Sequence, residues 1–262
     1  FLLIGALSIL FHLLLFKSAW GRYSGFYINP NEAGFMCISG YALTFGLTNK
    51  KLKLIGQLAF SVCGLLTFSR TFMLLWLLLN ALSVLINIKN IKIFILGFGV
   101  IMTMFMIDEL IGLDNPRFQQ LKGMATNDGV SSGNDLSKES RAETWAMFYD
   151  YIFESPIIGN GYGMFQGGGV HHLGAHNSYL MIVGESGIIP FLIFIGYFAY
   201  LMFSGLLLFR VSPNLIMQSI GISVFLLASH NFFTFFHVIF LAIWIQSQAS
   251  IYKQEQRTLP TT

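Results

Sequence analysis

Charged residues are scarce in this chain. Only 10% of its 262 residues are charged, whereas 55% are hydrophobic. A soluble domain contains about 25% charged residues, so this sequence has too few to cover a water-exposed surface of its size. The composition predicts an all-α membrane protein, because helices satisfy their own backbone hydrogen bonds in lipid.

Cysteine is also rare. Both cysteines, Cys37 and Cys63, lie in apolar segments, so we expect packed thiols, and a disulfide framework is not supported. The net charge of +3 is too small to indicate a nucleic-acid partner. No basic leader precedes the first hydrophobic run, which begins at Phe1, and the chain is interpreted as an N-terminally incomplete fragment.

Apolar segments of membrane-spanning length occupy most of the sequence. A spanning helix needs about 20 mostly apolar residues. We predict a polytopic transmembrane helix bundle that forms a single integral membrane domain over residues 1–262. The spans, about eight in number, are predicted at 1–16, 33–48, 54–69, 71–88, 93–108, 188–209, 214–229 and 231–252.

Two places in this topology allow alternatives. Only Arg70 separates segments 54–69 and 71–88, which form either a tight hairpin at the membrane surface or one broken segment. The apolar stretch 177–187 contains Glu185 and forms either the first turns of the next helix or a re-entrant piece.

Short basic loops orient the spans, because positively charged loops stay in the cytoplasm. Four such loops hold eight of the 15 Lys and Arg residues and one of the 12 acidic residues. The polar segment 108–176 then forms a large loop on the outer side, together with Arg70 and His230. The eight basic residues are Lys50, Lys51, Lys53, Lys89, Lys92, Arg210, Lys253 and Arg257.

The outer loop 108–176 also contains a pattern that predicts a surface helix rather than a membrane-spanning helix. Residues 127–135 are typical of an irregular loop, but Ser140 then precedes Glu143 by the spacing of a capping box. Aromatic and aliphatic residues recur at helical spacing until Pro156. We predict an amphipathic helix over 141–154 that lies on the outer membrane surface.

Arginines and histidines gather on this outer face. Guanidinium groups bind phosphate through paired donors, and a neutral imidazole can take a proton from a sugar hydroxyl. Arg22, Arg70, Arg141 and His176 therefore suit an anionic lipid headgroup. Structural alternatives exist, because Arg70 at a helix end can snorkel to the interface and Arg141 can be a solvated helix-start residue.

The other histidines give weaker signals. His171 and His172 lie beside three glycines and are interpreted as exposed loop residues. His230 lies at an outer helix end, and its sequence position does not distinguish a structural role from a functional one. No carboxylate or cysteine follows these histidines at a familiar ligand spacing, so no metal site is predicted.

Several short motifs occur in a fixed order along the chain. They are Gly21-Arg22-x-x-Gly25 with Asn29-Pro30-Asn31, Ser69-Arg70-Thr71, Arg141-x-x-x-Trp145, Pro156-x-x-Gly159-x-Gly161, His176-Asn177-x-Tyr179-Leu180 and Glu185-x-Gly187. In this order, and on one face, they resemble the O-antigen ligase and O-antigen polymerase family. The resemblance covers roughly residues 20–200.

The resemblance implies a multi-pass glycosyltransferase of lipopolysaccharide biosynthesis in the bacterial inner membrane, with its active site facing the periplasm. Its donor would be a glycan on undecaprenyl diphosphate, and its acceptor lipid A–core for a ligase or a lipid-linked repeat unit for a polymerase. Neither a cofactor nor a metal is implied. Arg70, Arg141 and His176 would be catalytic, and the implied substrate-binding residues are Arg22, Glu185, Asn177 and Tyr179.

Two features depart from the family pattern. Pro190 stands where a glycine is common, which suggests a shifted entry of the following helix. Family members also usually have more spans, and the missing ones would precede Phe1.

Two other classes of protein also fit parts of the pattern. One is a transporter or flippase of lipid-linked glycans, although charges in transporters usually lie within the helices rather than at one surface. The other is a non-catalytic scaffold whose 108–176 loop binds a partner. The sequence does not distinguish ligase from polymerase.

Overall fold

The structure is a computed structural model that describes residues 1–16, 21–27, 29–111, 141–230 and 232–258. Regular secondary structure in these residues is helical, as the all-α prediction requires. The described α-helices are α1 Leu2–Leu15, α2 Pro30–Leu43, α3 Lys50–Leu66, α4 Arg70–Ile86, α5 Ile91–Ile111, α6 Arg141–Glu154, α7 Ser178–Ser186, α8 Ile188–Leu207, α9 Pro213–Leu226 and α10 Phe236–Thr258.

A helix occurs at each of the predicted spans, and the largest difference is at the last one. The span predicted at 231–252 is replaced by α10, which begins at Phe236 and continues to Thr258. Beyond the predicted end, the half-buried Lys253 side chain packs on α8. Its ammonium donates a hydrogen bond of 2.9 Å to Ser204 Oγ and lies 4.9 Å from the ring centroid of Tyr200.

The structure gives the chain path at both places that allowed alternatives, while a hairpin at the membrane surface and a re-entrant piece stay predictions. Helices α3 and α4 are separate and are joined by a turn, in which Phe68 has a positive φ of 48°. The stretch 177–187 forms α7, a nine-residue helix of its own. It ends at Gly187, whose φ of 82° interrupts the helical path before α8 begins. Pro190 fits the first turn of α8, where a missing N–H costs nothing.

One described helix meets the length and composition of a membrane span. Helix α8 has 20 residues with a mean hydropathy of 1.9, and only 28% of its most apolar window is buried. Its exposed apolar side chains, such as Leu192, Ile193 and Phe203, are unfavourable in water and suit lipid. Helices α1, α4 and α9 are shorter apolar helices. The eight-span topology therefore stays a prediction.

The chain divides into two compact units, Phe1–Ser132 and Gly133–Thr262, and each is described by itself. In the first unit, α2 is buried on all sides along Ala33–Ala42 apart from Met36. Both cysteines are buried free thiols, as predicted. Two hydrogen bonds join polar side chains inside this unit. Tyr41 Oη donates to Asn80 Oδ1 at 2.8 Å, and Trp76 Nε1 donates to Ser61 Oγ at 2.8 Å.

The second unit contains α6 to α10. An aromatic cluster joins its elements, with the Phe194 ring 4.9 Å from Phe198 and 5.1 Å from Phe232. Helices α8 and α9 approach closely at Gly205, where an added Cβ would lie 2.7 Å from the Ile216 Cα. Glycine at 205 therefore allows α8 and α9 to pack closely.

Candidate functional site

Arg70 is the first residue of α4, and its side chain is exposed. The helix begins there because Ser69 caps it, with Ser69 Oγ accepting a hydrogen bond of 3.3 Å from the Phe72 amide. The preceding turn is held by Thr67. Its hydroxyl donates to the Gly64 carbonyl at 2.6 Å and accepts from the Ser69 amide at 3.2 Å. Arg70 therefore projects from a turn of defined geometry.

Arg22 lies within the same turn region of the first unit. Its Nε donates to the Thr67 carbonyl at 3.2 Å and its Nη2 donates to Asn31 Oδ1 at 2.7 Å. Ser69 Oγ donates to that same Asn31 oxygen at 3.1 Å. The half-buried guanidinium therefore supports the turn that presents Arg70. Its predicted role in binding substrate stays a prediction.

Arg141 is the first residue of α6 and is exposed. The helix spans 141–154, the bounds predicted from its aromatic spacing. Phe148 anchors it, because its ring is fully buried 4.9 Å from the Phe165 ring. The predicted capping residue, Ser140, lies outside the described residues, as does the predicted loop 127–135.

The segment after α6 packs against the junction of α7 and α8. The Ile188 amide donates to the Pro156 carbonyl at 2.9 Å. A Cβ on Gly187 would come 1.9 Å from the Ile157 carbonyl oxygen, and a Cβ on Gly159 would come 2.4 Å from the Glu185 carbonyl carbon. The glycines of the two motifs are therefore needed because the two backbones touch there.

Glu185 is buried beneath the glycine-rich loop 156–175. Its Oε1 accepts a hydrogen bond of 2.9 Å from the Phe165 amide, and its Oε2 accepts one of 3.0 Å from Gln166 Nε2. Its own carbonyl oxygen accepts from the Gly161 amide at 3.0 Å. These bonds fix the path of the loop that leads to His176. The predicted substrate-binding role of Glu185 stays a prediction.

We expect Glu185→Ala to lower the free energy of unfolding by about 1–3 kcal/mol, because the buried Phe165 amide loses its acceptor. Glu185→Gln should cost less, since its amide oxygen can still accept from that amide and Gln166 can turn its own amide. Thermal unfolding of the detergent-solubilised protein measures both effects. Equal stability of the alanine variant and the unsubstituted protein would contradict this role.

His176 is exposed and stands immediately before α7. Its φ is +47°, a conformation that costs free energy for a residue with a side chain. The flanking residues are buried on both sides, Ala175 in the loop and Asn177 at the helix start. The surrounding contacts therefore hold His176 in this strained conformation and turn its imidazole outward.

Asn177 and Tyr179 make contacts within the protein. Asn177 Oδ1 caps α7 by accepting from the Tyr179 amide at 2.9 Å and from the Leu180 amide at 3.2 Å. Tyr179 Oη donates to the Ser223 carbonyl on α9 at 3.0 Å. Both residues fix the helix that follows His176, and their predicted substrate-binding roles stay predictions.

The neighbouring histidines differ in exposure. His172 is exposed, as predicted, whereas His171 is half-buried with its ring 6.1 Å from Phe148. His171 Nδ1 accepts from the Leu173 amide at 3.1 Å. Within the described residues, no group of three or more His, Cys, Asp or Glu side chains is placed to hold a metal ion.

The residue that sequence reasoning left unassigned is His230. Its ring centroid lies 4.8 Å from that of His176, although the sequence places it beyond α9. Periodicity could not reveal this pairing, because it depends on how the loop before α7 folds onto the turn after α9.

The predicted catalytic residues are divided between the two units. Arg70 belongs to the first unit, together with Arg22, whereas Arg141 and His176 belong to the second. The grouping of all three in one site stays a prediction. Arg70 and Arg141 are each the first residue of a helix, His176 precedes the capping residue of α7, and all three side chains are exposed.

The chain matches a model of a known protein family. A profile described as O-antigen ligase matches residues 55–195, which is more than half of the chain and includes Arg70, Arg141, His176 and Glu185. No curated protein sequence matches the chain closely enough to count as a relative. The matched region runs from α3 into α8 and contains both the turn that presents Arg70 and the loop that presents His176. This chain therefore belongs to the O-antigen ligase family, an integral membrane family of glycosyltransferase type.

Proposed function

We propose that this chain is a metal-independent, inverting glycosyltransferase. It moves a glycan from undecaprenyl diphosphate to an acceptor hydroxyl at the periplasmic face of the bacterial inner membrane. The family match over the segment that holds Arg70, Arg141 and His176 carries this proposal. The acceptor is lipid A–core for a ligase, or a lipid-linked repeat unit for a polymerase.

The proposed reaction is a direct displacement at the anomeric carbon. His176 takes the proton of the acceptor hydroxyl while the acceptor oxygen forms the new glycosidic bond. The bond between the anomeric carbon and the diphosphate oxygen breaks, and its electron pair leaves with the lipid diphosphate. One displacement inverts the configuration, and the proton stays on the imidazole until solvent removes it.

Arg70 and Arg141 are proposed to bind the diphosphate. Guanidinium groups form paired, charge-assisted hydrogen bonds to phosphate oxygens and stabilise the negative charge that grows as the leaving group departs. Each of these arginines opens a helix, where the helix dipole already favours an anion. A positive side chain opposes that dipole when no anion is bound, which supports a ligand-binding role.

A reconstituted system tests the proposal directly. The purified protein in liposomes is given a labelled glycan on undecaprenyl diphosphate together with the acceptor lipid, and the label is followed on a gel. Covalent transfer to the acceptor supports the proposal. Movement of the labelled lipid across the bilayer without covalent transfer would instead indicate a flippase.

We expect transfer to continue at an unchanged rate in EDTA, because the two guanidinium groups neutralise the diphosphate without a divalent ion. The same reconstituted assay measures this rate before and after chelation. Loss of activity in EDTA, with recovery on addition of Mg²⁺ or Mn²⁺, would contradict metal independence.

The acceptor is identified in cells by the lipopolysaccharide pattern of a deletion strain. Loss of all O-antigen from the core indicates a ligase. A single repeat unit remaining on the core indicates a polymerase.

A further inference from the structure

His176 and His230 form a pair of imidazoles within the second unit. Their ring centroids are 4.8 Å apart and their planes meet at 54°. His176 is exposed at the end of the loop before α7, whereas His230 is half-buried in the turn after α9. The exposed ring thus has a second, more deeply placed ring beside it.

His230 is held in this position from two sides. Ser178 Oγ donates a hydrogen bond of 2.6 Å to the carbonyl of Ser229, joining positions 51 residues apart in the sequence. On the other side lies Gly174, which is buried, and a Cβ at this position would come 2.8 Å from His230 Cε1. Glycine at 174 therefore leaves the space that the His230 ring uses.

The surroundings of His230 favour its uncharged form. Its Nδ1 is buried and has no hydrogen-bond partner within the described residues, so a proton on that nitrogen would be an unsatisfied buried donor. Burial, and to a lesser extent the nearby His176, lower the pKa of His230 to about 4. Among the described residues, His176 is the ionisable group whose charge acts on it.

Two imidazoles this close do not both carry a proton at neutral pH. When the pair takes up a proton in the reaction, His176 is the member suited to accept it, because its ring is exposed and hydration stabilises the charge. An aromatic ring within about 6 Å of a cation attracts it, and an uncharged imidazole ring offers such a face. His230 is therefore suited to support His176 while it is charged.

We propose that His230 is a positioning residue for His176. Its uncharged ring packs beside the imidazole, sets its orientation towards the acceptor hydroxyl and stabilises the imidazolium formed when His176 takes the proton. This inference rests on the proposed function, but the pairing itself does not. His230 lies outside residues 55–195, so the family match does not assign it a role.

Two substitutions separate the contribution of the ring from that of its nitrogens. His230→Phe retains an aromatic ring and cannot carry a proton, whereas His230→Ala removes the ring. We expect His230→Ala to lower kcat about tenfold, the size of a lost ring–cation contact, with KM for the donor unchanged. His230→Phe should keep most of kcat and the same acidic limb in the pH profile of kcat/KM.

A second measurement does not depend on activity. The protein has six histidines, so selective ¹³C-histidine labelling in nanodiscs gives a resolvable set of imidazole signals. The His176 signal should move in His230→Ala, because the ring current of its neighbour is lost. It should stay where it is in His172→Ala, the matched control with an exposed histidine of the same loop removed.

The outcomes are distinct. An unchanged kcat in His230→Ala would overturn the proposal. So would a His230→Phe variant as slow as the alanine variant, or one with a shifted acidic limb, because the nitrogens of His230 would then carry the proton. If His230→Ala does not fold, the phenylalanine variant alone decides. If the unsubstituted protein transfers no glycan, the proposed function fails, while the labelled signals still report whether the two rings touch.

Discussion

His176→Asn is expected to lower kcat for glycan transfer by about 10²–10⁴-fold, the usual contribution of a general base. Asparagine tolerates the positive φ of 47° at this position better than other residues with a side chain, so the backbone is kept while the base is lost. The reconstituted transfer assay measures kcat, and the amount of folded protein is measured in the same samples.

The matched control is His172→Asn, which makes the same change at an exposed histidine of the same loop. This variant should transfer at the rate of the unsubstituted protein. Wild-type transfer by His176→Asn would show that the acceptor hydroxyl loses its proton elsewhere, and the base assignment would be wrong.

Arg70→Ala is expected to lower kcat/KM by about 10²–10³-fold, comparable to the loss of one donor that stabilises a developing negative charge. The helix itself should not be weakened, because a positive side chain at the start of α4 opposes the helix dipole. Arg70→Lys should recover only part of the loss, since lysine keeps the charge but not the paired donors. Steady-state kinetics with varied donor concentration measure kcat/KM for the unsubstituted protein and for the two variants.

Arg210→Ala provides the control for Arg70. Arg210 is also exposed, but it lies in the turn between α8 and α9 on the side predicted to face the cytoplasm. Its replacement should leave transfer unchanged. If Arg70→Ala keeps its kcat/KM, or if both alanine variants lose activity equally, Arg70 has no specific role at the diphosphate.

Helix positions followed from the sequence because they depend on local features. Apolar runs of sufficient length predicted helices at the places where they occur, and aromatic spacing predicted α6 with its correct bounds. The burial of Cys37 and Cys63 followed from the apolar segments around them. Each of these depends on residues close together in the chain.

The ends of helices and the long-range partners of buried side chains were less predictable. The span expected at 231–252 is α10, Phe236–Thr258, whose Lys253 side chain packs on α8, a contact that no local pattern reveals. The resemblance implies a substrate-binding role for Glu185, which stays a prediction, and it gave no sign of the partners of this carboxylate. The Glu185 carboxylate accepts hydrogen bonds from Phe165 and Gln166, which are 20 and 19 residues earlier.

The sequence by itself determined the all-helical class, the membership of a membrane glycosyltransferase family and the residues that are candidates for its chemistry. Only the tertiary structure decided what each candidate touches. Arg22 supports the turn before Arg70, and His176 stands beside His230. The physical reason is that helices form from local spacing and hydrophobicity, whereas these contacts arise when loops close over long sequence distances against buried partners.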